Sequence, residues 1–216
     1  MLDVYDAPGS GNGYKVRLLL DLLGVPYRTH WLNILKGESR RPEFLAINPN
    51  GKIPAVRLES GEALSESDAL LYYFAQGTPF WPEGRLDQTR VLQWMFFEQY
   101  SHEPAIAVLR FWLHFLPSSP DRDAQIPGKR SQSFHALGVM EGGLSGKEWL
   151  VGNGPTIADI ALYAYTHVAH EADLSLEAFP NIRAWIARVE ALPGWRGMMD
   201  GVPFEMGPQD LIAAEA

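Results

Sequence analysis

"NPNGKIPAVRLESGEALSESDALLYYFA", Asn48 to Ala75, is the stretch on which the reading of this chain turns. Pro54 stands at the entrance to the alternating run Ala55, Val56, Arg57, Leu58, where an ordinary central strand would use a backbone N–H that proline lacks. Beyond it, Ser60-Gly61 turns one short strand into another, and Glu66 to Gln76 has the period of a helix. Working outward toward the N-terminus, Leu2, Val4 and Tyr5 form a short strand that stops at the breaker-rich "APGSGNG". Val16, Leu19, Leu20 and Leu23 then fall on one face of a helix closed by Gly24 and Pro26. Tyr27 to Ile34 supplies a second strand, and Leu35 to Asn48 reads as loop and short helix. The order over residues 1–76 is βαβαββα, an α/β domain.

Toward the C-terminus, "GTPFWPEGR" carries two prolines and two glycines and marks a linker over residues 77–86. Residues 87–216 have helical character, with a long helix interrupted near Pro104. Thr156-Ile157-Ala158-Asp159 opens an apolar run in the manner of a capping box, which gives Asp159 a structural role. Ile182, Trp185, Ile186 and Val189 mark a further amphipathic helix that ends at Pro193-Gly194.

The totals narrow the function. With 216 residues, 46% of them apolar, the chain can bury a core without staples, and a formal charge of −8 opposes general attraction to nucleic acid or anionic lipid. No cysteine is present, so disulfide scaffolds, cysteine-ligated zinc and a thiolate nucleophile belonging to the chain are excluded. His167 and His170 form an i, i+3 pair without a third ligand, and no metal is expected. The N-terminus has no run of signal-peptide type and no segment approaches a membrane span, so a soluble cytoplasmic protein is expected.

Together "SGNGYKVRLLLDLLGVPY", the Asn48–Ala75 stretch and "TIADIALYAY" resemble a bacterial glutathione transferase, close to the theta-like members of that superfamily, along essentially the whole chain. The resemblance implies a thioredoxin-like α/β domain over 1–76 and an all-α domain over 87–216, with glutathione as co-substrate. It implies that Pro54 follows a cis bond, leaving the backbone of Ile53 to pair with the cysteinyl part of glutathione. Glu66 and Ser67 would hold the γ-glutamyl end, which fits their chemistry: a serine at a helix start donates to a carboxylate and a glutamate accepts from an ammonium. A serine there is equally a helix cap. The glycine carboxylate would fall to Lys52, Ser39, Arg40 or Arg41, since the histidine that theta-like relatives place in this region is missing.

Glutathione chemistry needs its thiol, of ordinary pKa near 8.5, ionised at neutral pH. A hydroxyl donor at a helix start favours the thiolate, because hydrogen bond and helix dipole act together. Ser10 is the first candidate by resemblance and Asn12 the second, while Tyr5 falls on the strand itself. Both Ser10 and Asn12 are also good caps and turn formers. A hydrophobic electrophile would meet the helical domain, where Tyr100, His102 and Arg110 are candidates, although burial in the core is the commoner fate of such residues. Conjugation to an electrophile leads. Glutathione-dependent peroxide or disulfide reduction shares every binding residue with it, and a non-enzymatic binding protein of the same fold is the alternative from a different class. Members of the family are usually homodimers.

Overall fold

Strands β1 (Leu2–Asp6) and β2 (Tyr27–Trp31) run parallel with Val4 opposite Thr29, as they can because helix α1 (Gly11–Leu22) returns the chain between them. After the short helix α2 (Pro42–Leu45), β3 (Ala55–Arg57) adds to the other side of β1 antiparallel, with Val4 opposite Val56, and β4 (Ala63–Ser65) pairs antiparallel with β3. Gly61, at φ 93°, makes the turn between the last two strands, a backbone region that glycine enters without a Cβ penalty. Helix α3 (Ser67–Ala75) follows at once, and the sheet order is β2-β1-β3-β4. This is the thioredoxin-like α/β domain. Its core closes on Val4, Val16, Leu20, Val56 and Leu70, joined by Leu2, Val25, Tyr27, Leu58, Leu64 and Phe74. The structure, a computed structural model, describes residues 1–203 and Met206.

Two units emerge from the packing: Met1–Phe74 with the segment from Pro193, and Ala75–Leu192. In the first, the hydroxyl of Tyr14 donates to the carbonyl of Arg196 at 2.6 Å and Arg17 Nη2 donates to that of Met198 at 2.8 Å. Helix α1 therefore holds the C-terminal segment by its side chains. Nothing in the periodicity of residues 193–203 announces this.

The second unit is helical, with α4 (Arg85–Phe97), α5 (Glu103–Arg110), α6 (Pro120–Asp123), α7 (Ile126–Gly143), α8 (Ile157–Thr166) and α9 (Pro180–Glu190) among the described residues. The interruption expected near Pro104 is a π-helical turn over Glu98–His102. There Glu103 N–H reaches back five residues to the carbonyl of Glu98, and Pro104 falls in the first turn of α5, where its missing N–H costs no hydrogen bond. A second π turn spans Phe111–Phe115.

The start of α8 is the best-tied point of this unit. Thr156 and Asp159 form the capping box, and fully buried Asp159 accepts from Thr156 N–H at 2.8 Å, Thr156 Oγ1 at 3.0 Å, Leu150 N–H at 3.1 Å and Trp185 Nε1 at 2.9 Å. One carboxylate thus joins a loop, a helix start and α9.

At the other end of α8, His167 stacks on Tyr163 at 4.4 Å and its Nδ1 donates to the Tyr163 carbonyl at 2.9 Å. Burial holds its pKa down at about 4, against an ordinary 6.5. The folded state therefore keeps the ring neutral where the unfolded chain protonates it, and stability present above pH 6.5 drains away as pH falls toward 4. Urea midpoints measured from pH 7 to 5 should fall for the wild type and fall less for His167→Phe. Parallel curves would remove His167 as the cause.

Candidate functional site

Where β1 ends, the chain turns through Ala7, Pro8 and Gly9, the last at φ 72°, and enters α1 with Ser10 as N-cap. Ser10 is extended, at φ −72° and ψ 120°, and its Oγ accepts from Gly13 N–H at 3.2 Å. That bond occupies a lone pair and leaves the hydroxyl proton to donate. Asn12 sits in the first turn, and its Oδ1 is 3.5 Å from the hydroxyl of Ser67, which opens α3. The starts of two helices thus share one polar point.

The loop before β3 completes this face. The Ile53–Pro54 bond is cis. Pro54 lies just ahead of the first β3 residue, Ala55, which pairs with Tyr5, so it stands beside the end of β1 where the loop into α1 departs. Asn48, almost fully buried, braces this segment: its Nδ2 donates to the Lys52 carbonyl at 2.7 Å and its Oδ1 accepts from Asn50 N–H at 3.1 Å. At the next corner Glu66 takes φ 69°, a left-handed conformation unusual for a residue with a side chain, while its carbonyl accepts from Leu70 N–H at 2.9 Å. Strain of this kind, of order 1–3 kcal/mol, gathers at binding sites. It leaves Glu66 exposed and Ser67 buried at the helix start.

Of the four cations or donors considered for a glycine carboxylate, three have other engagements. Ser39 is buried, Arg40 Nη1 donates to the Asn50 carbonyl at 2.8 Å, and Arg41 lies 3.3 Å from Glu38 one helical turn away. The Lys52 ammonium is exposed and has no ion pair among the described residues.

Four residues of this site were missed by sequence reasoning. Asp6 is fully buried at the end of β1, where its Oδ1 accepts from Ala7 N–H at 2.7 Å and its Oδ2 from Arg17 Nε at 2.8 Å. Burial pushes its carboxyl pKa up and the Arg17 guanidinium opposes the shift. Arg17 in turn lies over the Trp31 ring at 4.8 Å. Gly13 passes so close that a Cβ there would fall 1.5 Å from Asp6 Oδ1. Lys15, with no exposed surface, points its Nζ to within 3.4 Å of Ser67 Oγ and 3.5 Å of Asp68 Oδ1. One sign of Lys15 was legible: it stands one turn before Leu19, on the apolar stripe of α1, where a lysine has no solvation reason to be.

In the helical unit, the candidates for a second substrate divide. Tyr100 is 87% exposed, but His102 and Arg110 are interior. Thr166 gives its proton to the Leu162 carbonyl at 2.7 Å, so the His102 Nε2, 2.9 Å away, donates to the Thr166 oxygen. Arg110 Nε donates to Glu171 at 2.6 Å and its guanidinium lies 5.1 Å from the Phe115 centroid. Both side chains are thus buried against partners at the end of α8 and just beyond it, Thr166 and Glu171. Among the described residues no helix is long and apolar enough to cross a membrane.

Comparison with known proteins agrees with this fold. The family model for the glutathione S-transferase N-terminal domain matches residues 9–76, and that for the C-terminal domain matches residues 105–193. The chain belongs to the glutathione S-transferase family. A crystal structure of a glutathione S-transferase from Pseudomonas fluorescens Pf-5 superimposes with a TM-score of 0.90 at 47% identity, covering 92% of this chain and 99% of that one. Disulfide-bond oxidoreductase YfcG of Escherichia coli K12 is 31% identical over 201 residues, 89% of this chain and 92% of its own length. The transcriptional regulator URE2 of Saccharomyces cerevisiae is 28% identical over 84% of this chain, which spans 63% of that protein. A structure of Ure2p in complex with glutathione has a TM-score of 0.80 at 26% identity, covering 89% of this chain and 95% of that one. Membership of the family thus includes neighbours that hold glutathione.

Proposed function

We propose that this glutathione S-transferase family member binds glutathione on its first unit and uses the thiolate as the nucleophile toward hydrophobic electrophiles. The supporting observation is the meeting of the α1 and α3 helix starts at Asn12 and Ser67, beside the cis Ile53–Pro54 bond. In this reading Ile53 pairs its backbone with the cysteinyl residue, and Glu66 and Ser67 hold the γ-glutamyl ammonium and carboxylate. Lys52 holds the glycine carboxylate. Ser10 or Asn12 donates to sulfur, aided by the α1 dipole, and lowers the thiol pKa. Proximity and the larger thiolate fraction then supply the rate. A homodimer is part of the proposal, supported by Leu86, Phe96 and Tyr100, large side chains exposed along α4 and the turn that continues it.

Similarity to a disulfide-bond oxidoreductase favours a second reading, glutathione-dependent disulfide reduction. Here bound glutathione thiolate attacks a disulfide, forming a mixed disulfide and releasing one thiolate. A second glutathione thiolate then displaces the other half and leaves glutathione disulfide. Two glutathiones must be consumed, because the chain has no cysteine to resolve the intermediate.

Calorimetric titration of glutathione tests the common core, with thiolate absorbance followed against pH in the complex. The alanine variant of the true sulfur partner, Ser10→Ala or Asn12→Ala, should keep glutathione but raise the bound thiol pKa by about one to two units, the worth of one charge-assisted hydrogen bond. Turnover of an aryl halide against a dialkyl disulfide separates the two readings. Absence of binding at millimolar glutathione would overturn both.

A further inference from the structure

Strand β2 is an open edge of the sheet. It pairs with β1 alone, and Leu32 N–H donates to the Asp6 carbonyl at 2.8 Å where Asp6 stands opposite Trp31. Because backbone groups alternate sides along a strand, Arg28 and His30 turn theirs toward β1, while Tyr27, Thr29 and Trp31 turn theirs outward. Those three have no backbone partner among the described residues. A free row of N–H and C=O groups is a template for another strand, and proteins ordinarily bulge, shorten or cover it. Here the segment from Gly194 to Gly201 comes alongside, yet no backbone hydrogen bond joins it to β2 among the described residues. A groove of about 480 Å³ follows the edge instead, lined by Tyr27, Thr29 and Trp31, by Arg17 and Asp21 of α1, and by Arg196 and Asp200.

The charge in this groove is unbalanced. Arg17 is engaged by Asp6, by the Met198 carbonyl and by the Trp31 ring. Asp21 is held less fully: its Oδ2 accepts from the Tyr27 hydroxyl at 3.1 Å, but its Oδ1 accepts no hydrogen bond among the described residues. Arg196 Nε, on a side chain 67% exposed, lies 3.9 Å from that oxygen. Burial pushes the Asp21 carboxyl pKa up and the Asp200 charge adds to the shift, so a cation brought beside it restores the ionised form. We infer that the β2 edge is a docking site for an extended, basic segment of a partner protein, which adds a fifth strand to the sheet and sets a lysine or arginine against Asp21 and Asp200. The backbone row supplies affinity and the acid pair supplies the choice of side chain. A second copy of this chain is the poorer occupant, because it brings a formal charge of −8 to a molecule of the same charge. The site uses none of the residues assigned to glutathione and does not depend on that reading.

Three capped hexapeptides test this on the whole chain: one alternating valine with lysine, one with glutamate in place of lysine, and the lysine peptide N-methylated throughout. Each is titrated to millimolar concentration while amide shifts and hydrogen exchange are followed by NMR. The lysine peptide should slow exchange at the outward amides of Tyr27, Thr29 and Trp31, and should bind about 10-fold tighter than the glutamate peptide, the worth of one charge-assisted hydrogen bond. The N-methylated peptide, which has no N–H to give, should not bind. Asp21→Asn should erase most of the preference for lysine. Thr29→Pro removes one outward N–H, leaves the bonds to β1 in place, and should weaken the lysine peptide. If that variant does not fold, the N-methylated peptide draws the same distinction on the wild type. Equal binding of the lysine and glutamate peptides, full binding of the N-methylated one, or no response at β2 overturns the proposal. Protection that is present without peptide and grows with protein concentration gives the edge to a second copy and overturns it as well.

Discussion

Replacing Asp159 with alanine should destabilise the protein by about 3–7 kcal/mol, the sum of two buried N–H groups left without acceptors, at 1–3 kcal/mol each, and a lost cap of about 1 kcal/mol. The two stranded donors are Leu150 N–H and Trp185 Nε1, and neither has water within reach where Asp159 and Trp185 are fully buried. Burial pushes the Asp159 carboxyl pKa up, and the four donors pull it back down. In a chain of this length the loss corresponds to about 6–28 °C in Tm, at about 2–4 °C per kcal/mol. Circular dichroism during urea and thermal unfolding measures it. Asp159→Asn should fall between, since an amide keeps one acceptor oxygen but faces Thr156 N–H with a group that also donates. A loss below about 1 kcal/mol for the alanine variant would show that α8 and α9 are held by packing alone.

Gly13→Ala should be nearly as damaging, at about 3 kcal/mol or more, and should abolish glutathione binding as well. The added Cβ would sit 1.5 Å from Asp6 Oδ1 and 1.9 Å from its Cγ. Asp6 has no room to give way, because Ala7 N–H and Arg17 Nε hold its two oxygens at 2.7 and 2.8 Å. Either α1 shifts at its first turn, which moves Ser10 and Asn12, or the buried ion pair breaks. Breaking such a pair costs about 3–5 kcal/mol because the partner charge stays buried. Gly138→Ala on α7 is the matched control: its Cβ meets nothing within 4 Å, so helix propensity should make it neutral or stabilising by up to about 1 kcal/mol. Thermal melts and glutathione calorimetry on both variants decide the matter. Equal behaviour of the two would mean that the thiol loop tolerates displacement.

Much of the site was legible because its residues are local. The loop between a strand and an amphipathic helix identified Ser10 and Asn12 as helix-start residues, and the structure puts them there. The proline ahead of an alternating run marked Pro54, and the run itself is β3, shorter than the alternation suggested. The burial of His102 and Arg110 was not legible for the opposite reason: their partners, Thr166 and Glu171, are about 60 positions away, at the end of α8 and just beyond it. Pattern at helical spacing says which face is polar, and says nothing of a distant hydroxyl or carboxylate that will bury it.

The sequence by itself determined the element order, the division between an α/β half and a helical half, the capping box at Thr156 and Asp159, and the absence of any cysteine thiol. Those features depend on periodicity, breakers and composition, which act over a few residues or over the whole chain at once. Only the tertiary structure decided that Lys15 reaches Ser67 and Asp68, that Asp6 lies under Gly13 and pairs with Arg17, and that α1 holds the segment around Arg196 and Met198. Each of these needs a side chain to meet a group 7 to 182 positions away, counting from Asp6 to Gly13 and from Tyr14 to Arg196. A buried charge is placed by the partner it finds, and that partner is chosen by the fold.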